Sequence, residues 1–91
     1  MKTTIKTVVK NWSLVTIKDE LSPFQILWGI VERGNYVCSS RILYIEDNLV
    51  KTHTGSSYKL VGEGSKYTAS YTQLISLIDG LSPDDLKLEK K

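Results

Sequence analysis

The sequence predicts an α+β fold: a small antiparallel β-meander of four to six strands, able to close into a barrel, followed by a C-terminal helix and a short second helix. Three observations carry this. The turn-forming pairs Gly34–Asn35, Asp47–Asn48 and Gly55–Ser56 punctuate runs rich in β-branched and aromatic residues. Beyond Val61 the apolar spacing lengthens toward that of a helix. Ser70 and Gln73 then have the spacing of a capping box. At 91 residues, below the usual ~100–150 of a domain, the chain reads as one domain, β-rich over 1–61 and helical over 66–91.

The first segment offers two readings. Ile5, Val8, Val9, Trp12 and Val15 recur at helical spacing, yet nine of the fifteen residues from Thr3 to Ile17 are β-branched. Two strands, about 3–9 and 12–18, turning near Lys10–Asn11, fit better; for 3–9 strand and helix both stay open. A loop follows over Asp19–Phe24, with Ser22–Pro23 inside it. From Gln25 to Glu32 apolar residues fall on both faces, as in a strand covered on both sides. Gly29 in its middle marks close approach of a bulky neighbour or a bend.

The turn pairs place strands at about 25–33, 36–46, 49–54 and 57–61. Gly62 to Ser65 reads as a loop. The helix should run from Ser70 to a stop at Gly80 and pack Tyr71, Leu74, Ile75 and Ile78 as one face. Ser82, Pro83 and Asp85 signal the second helix, with Leu81 and Leu86 placed to staple its entry.

Composition bounds the function. A net charge of +2 is too small to imply a polyanion partner, although Lys2, Lys6, Lys10 and Lys18 all precede the first acid, Asp19. Cys38 is the only cysteine in the sequence, so one chain forms neither a disulfide nor a cysteine-based metal site. The N-terminal stretch lacks the continuous apolar region of a signal peptide. No apolar run approaches the ~20 residues of a membrane-spanning helix. A soluble, cytoplasmic protein is the expectation.

Catalytic sets are hard to assemble. Pairing across Asp47–Asn48 puts Ile42 opposite His53, leaving Cys38 four residues along the strand, roughly 13 Å away at strand rise. A nucleophile and its base need contact near ~3 Å. His53 has no second histidine to share a metal with, and is read as a cross-strand neighbour of Tyr58. The acidic pairs Asp19–Glu20, Glu46–Asp47 and Asp84–Asp85 fall in loops, turns or helix starts, and Gly62-Glu63-Gly64-Ser65 lacks the lysine of a phosphate-binding loop. The expectation is no enzyme, no cofactor and no metal.

One surface set remains. In the registers above, Trp28, Ser39, Arg41, Thr52, Thr54, Ser57 and Lys59 share a sheet face, with Trp28 opposite Arg41 in cation–π geometry. Trp28, Arg41, Thr52 and Lys59 are therefore the candidate partner-binding residues.

Residues 27–60 carry Leu27 and Gly29 before Val31, then Gly34, Ser39-Ser40 and Ile42, and further on Val50, Thr52, Gly55-Ser56, Tyr58 and Leu60. This stretch resembles small uncharacterised proteins of phages and other mobile elements. Those proteins often have His-Pro near position 34, where this chain has Arg33-Gly34. The resemblance carries no assigned activity; it implies an accessory protein that binds a host protein, for example an inhibitor of a host complex. The expected function is accordingly a non-enzymatic binding module for a host protein. The alternative is a small nucleic-acid-binding domain using the Trp28/Arg41/Lys59 face. Edge strands of so small a sheet could also pair two copies into a homodimer.

Overall fold

The computed structural model describes residues 7–90, so the open question over 3–9 is answered only for 7–9, which are strand; 3–6 lie outside the described residues. The elements are β1 (Thr7–Ile17), β2 (Phe24–Ile30), a 3-10 turn (Glu32–Gly34), β3 (Tyr36–Cys38), β4 (Ile42–Glu46), β5 (Leu49–Thr52), β6 (Ser57–Leu60), β7 (Ser65–Ala69), α1 (Tyr71–Ile78) and β8 (Glu89–Lys90). Among the described residues the fold is mostly β with one helix, in an eight-stranded sheet that does not close into a barrel.

β1 organises everything else. The turn predicted at Lys10–Asn11 does not form; the chain runs straight through as one strand with a bulge there. Asn11 takes φ 48°, a left-handed conformation that asparagine tolerates. Lys10 pairs with Ile30 but Ser13 with Trp28, so β1 carries one extra residue. That residue flips the alternation of side chains. Val9 and Leu14, five apart, consequently enter the same apolar cluster.

Pairing order across the sheet is β3-β2-β1-β6-β5-β4, with β7 also on β1 and β8 on β7. The meander β4-β5-β6 is antiparallel, as predicted. Two pairings are not: β6 lies parallel beside Thr7–Val9, and β7 parallel beside Ser13–Ile17. β6 and β7 thus follow one another along the same edge of β1, either side of the bulge. Residues 65–69 form β7 where the sequence reading had loop and then helix. Ser65, Tyr67 and Ala69 alternate inward along it.

β2 is apolar on both faces because both are covered. Ile26 and Trp28 join Val15, Ile17, Tyr67, Ala69, Leu77 and Leu88 under the helix. Leu27 joins Val9, Leu14, Val50 and Leu60 on the other side. The close approach expected at Gly29 is real: a Cβ there would run into the Val9 side chain.

The helix starts as the sequence indicates. The Ser70 hydroxyl accepts from the Gln73 amide, the Gln73 side chain accepts from the Ser70 amide, and Gly80 at φ 110° ends the helix. The face it buries is another. Leu77 is fully buried and Leu74 packs on the same cluster, whereas Tyr71, Ile75 and Ile78 are exposed. The predicted second helix is absent; its Ser82–Asp85 box caps hydrogen-bonded turns over residues 83–87, which Lys87 ends at φ 52°. The short strand β8 follows.

Candidate functional site

Trp28 and Arg41 are not cross-strand neighbours. The strand predicted over 36–46 breaks at Ser39–Arg41, and Trp28 pairs with Cys38 instead. Ser39 makes the break: its hydroxyl accepts from the Leu27 amide at 2.9 Å and donates to the Ser40 carbonyl at 2.8 Å, fixing the chain where it leaves β2. The Trp28 ring is only 6% exposed. It stacks on Tyr36 with centroids 5.9 Å apart, and its Nε1–H donates to the Leu77 carbonyl at 3.2 Å. It is a strut between sheet and helix.

The other candidates scatter. Thr52 is 1% exposed, its hydroxyl donating to the Ser56 carbonyl at 3.3 Å. Lys59 is exposed on β6, between Val8 and Leu49. The Gly55–Ser56 hairpin has a longer loop than a two-residue turn; Lys51 pairs with Ser57, so Tyr58 faces Val50 and not His53. Cys38 sits on β3 and His53 in the loop after β5. Burial pushes the Cys38 thiol up to about 11, which keeps it protonated at neutral pH. No cluster of three or more His, Cys, Asp or Glu suited to a metal occurs among the described residues.

Arg41 finds a different aromatic. Its guanidinium lies over the Phe24 ring, 4.8 Å from the centroid. Phe24 in turn meets Tyr71, centroids 6.1 Å apart and planes at 56°. The Tyr71 hydroxyl donates to Asp19 Oδ2 at 2.9 Å, and that bond to a carboxylate raises the phenol's pKa. Three elements far apart in sequence so form one surface row: Arg41 before β4, Phe24 at the start of β2, Tyr71 at the start of α1.

The row continues along the helix. Tyr71, Ile75 and Ile78 sit at i, i+4 and i+7, one stripe on the outer face. Ile75 is 61% exposed, and Leu81 beyond the helix is exposed too. Tyr36 reaches the end of this stripe, its hydroxyl donating to the Ile78 carbonyl at 2.6 Å. Sequence reasoning named Arg41 and all three helix residues but buried the latter. The helix is apolar on two adjacent stripes, and spacing alone does not say which one meets the sheet.

A second apolar surface is β4, the last strand in the sheet, where Leu43, Tyr44 and Ile45 are all exposed. Among the described residues no helix is long and apolar enough to cross a membrane. Compared with family models, with curated proteins and with solved structures, the chain matches none.

Proposed function

We propose that the chain is a non-enzymatic binding module that docks a protein partner on the surface running from Arg41 across Phe24 and Tyr71 to Ile75 and Ile78. The observation that carries this is the exposed stripe. Tyr71, Ile75 and Ile78, on the outer face of a capped helix, are each more than half exposed, and none of them belongs to the buried core clusters. Contiguous apolar surface of this kind, rimmed by charge, is the usual mark of a protein contact. Arginine and aromatic residues are also the types that dominate interface energies. The resemblance over residues 27–60 to phage and mobile-element proteins makes a host protein the partner of choice. The test is capture of that partner from host extract by the wild-type chain, set against a folded variant carrying a charge at Ile75.

A nucleic-acid interface is the alternative, and it has less support. Trp28, the base-stacking candidate, has its ring beneath the helix. Oligonucleotide binding that collapses as salt rises would favour it over the protein reading.

A further inference from the structure

We infer that the open edge of β4 accepts a second copy of this chain, laid antiparallel about a two-fold axis between Leu43 and Tyr44. This contact does not depend on the docking of a host protein, and Arg41 is the one residue it shares with that surface.

The backbone of β4 is open in the right places. Among the described residues β4 pairs with β5 alone. The Arg41 carbonyl accepts from the His53 amide at 2.8 Å, so Arg41 turns its backbone toward β5. Antiparallel pairs alternate, and Ile42 therefore turns its N–H and C=O to the open edge. Leu43 is then the extra residue of a bulge, since Ile42 pairs with Thr52 and Tyr44 already with Lys51. The next residue to turn its backbone outward is Ile45.

The bulge also sets the side chains. Ile42 packs on the cluster that holds Val50, and Ile45 is the cross-strand partner of Val50. Both isoleucines thus lie on the core face although they are three apart. Leu43 and Tyr44, each more than half exposed, lie between them on the outer face, flanked by Arg41 and Glu46. A bulge ordinarily blunts an edge, because a regular strand laid beside it falls out of step at the extra residue. A second β4 carries the same bulge. Run antiparallel, it sets Ile42 opposite Ile45, Leu43 opposite Tyr44 and Arg41 opposite Glu46 of the other copy, each pair occurring twice. Core face meets core face throughout, and the outward N–H and C=O groups of Ile42 and Ile45 meet one another.

Charge fixes the direction. Arg41 and Glu46 are exposed and have no ion-pair partner among the described residues. The antiparallel arrangement joins them at both ends of the ladder, whereas a parallel one would set arginine beside arginine and glutamate beside glutamate. Stacking on Phe24 occupies only a face of the Arg41 guanidinium and leaves its edge N–H groups for a carboxylate. The contact uses up the same edge in both copies, so it closes at a dimer.

The experiment is sedimentation velocity from micromolar to millimolar concentration on wild type, Arg41→Glu and Glu46→Lys, each shown folded by thermal melting. Wild type should form a dimer and nothing larger. Each variant alone sets like charges opposite one another at both ends of the ladder and should dimerise about tenfold or more weakly. Mixed in equal amounts, the two variants set opposite charges together again and should recover the wild-type dimer. An isotope-filtered NOE on half-labelled wild type, which needs no variant, should join Ile42 of one copy to Ile45 of the other. Ile75→Asp should leave the dimer unchanged, which separates this contact from the docking surface. The inference is overturned if wild type stays monomeric, if the single variants dimerise like wild type, if their mixture stays monomeric, or if Ile75→Asp abolishes the dimer.

Discussion

Arg41 lays its guanidinium on Phe24, 4.8 Å from the ring centroid, and through Phe24 it is joined to Tyr71 at the first turn of the helix. The pair is exposed at the arginine end, so water screens most of its attraction. Its structural worth is small, and its availability to a partner is large.

Arg41→Ala should therefore cost only about 0.5–1 kcal/mol, the range of exposed cation–π pairs. Chemical denaturation of the variant beside the wild type measures it. A loss of several kcal/mol would mean that Arg41 holds the fold together and is no free contact residue.

Two neighbouring helix positions should behave in opposite ways. Leu77 is fully buried against Val15, Ile17 and Trp28, so Leu77→Ala should cost about 2–5 kcal/mol. Ile75→Asp puts a charge on a side chain already in water and should stay within about 1 kcal/mol of wild type. Equal losses at both sites would show that the outer stripe is packed.

Much of the local structure could be read from the sequence, and little of the non-local. The Ser70–Gln73 box and the Asp47–Asn48 turn each involve residues within three positions, so chemistry nearby decides them. Asp47 takes the positive φ (56°) that the turn needs, and Glu46 pairs with Leu49. The parallel pairings of β1 with β6 and β7 join residues some fifty positions apart, and no turn residue encodes them. Register was lost wherever the chain departed from a two-residue loop: at Ser39–Arg41, where the break moved Trp28 from Arg41 to Cys38, and at Gly55, where four loop residues moved Tyr58 from His53 to Val50. The alternation Ser65-Lys66-Tyr67-Thr68-Ala69 was a legible strand signal that the nearby helix cap overshadowed. Of the candidate site, Arg41 was legible as a surface aromatic-stacking residue. Its partner was not, because Phe24 lies in what reads as a loop.

The Cys38 thiol supplies a pH signature. Burial raises it from 9.0 to about 11, so the folded chain keeps this proton longer than the unfolded one. The stabilising contribution is whole below about pH 9 and is lost as the pH rises toward 11. Wild type should accordingly lose more stability than Cys38→Ala between pH 8 and pH 11 in parallel denaturant titrations. Identical pH slopes for the two proteins would contradict the buried thiol.

The β4 edge should be sticky. Leu43, Tyr44 and Ile45 are exposed on a terminal strand that carries neither lysine nor proline, the residues that usually blunt such edges. Sedimentation velocity should show self-association that rises with concentration and disappears in Tyr44→Lys. A wild type that stays monomeric up to millimolar concentration would remove the homodimer reading.

The docking surface is tested most directly by quantitative affinity capture from host extract with wild type, Ile75→Asp and Arg41→Ala, all shown folded by thermal melting. The account predicts that at least one host protein is enriched by wild type, falls by about tenfold or more with Ile75→Asp, and is diminished with Arg41→Ala. The same proteins recovered equally by all three chains, or none enriched by wild type, would contradict it.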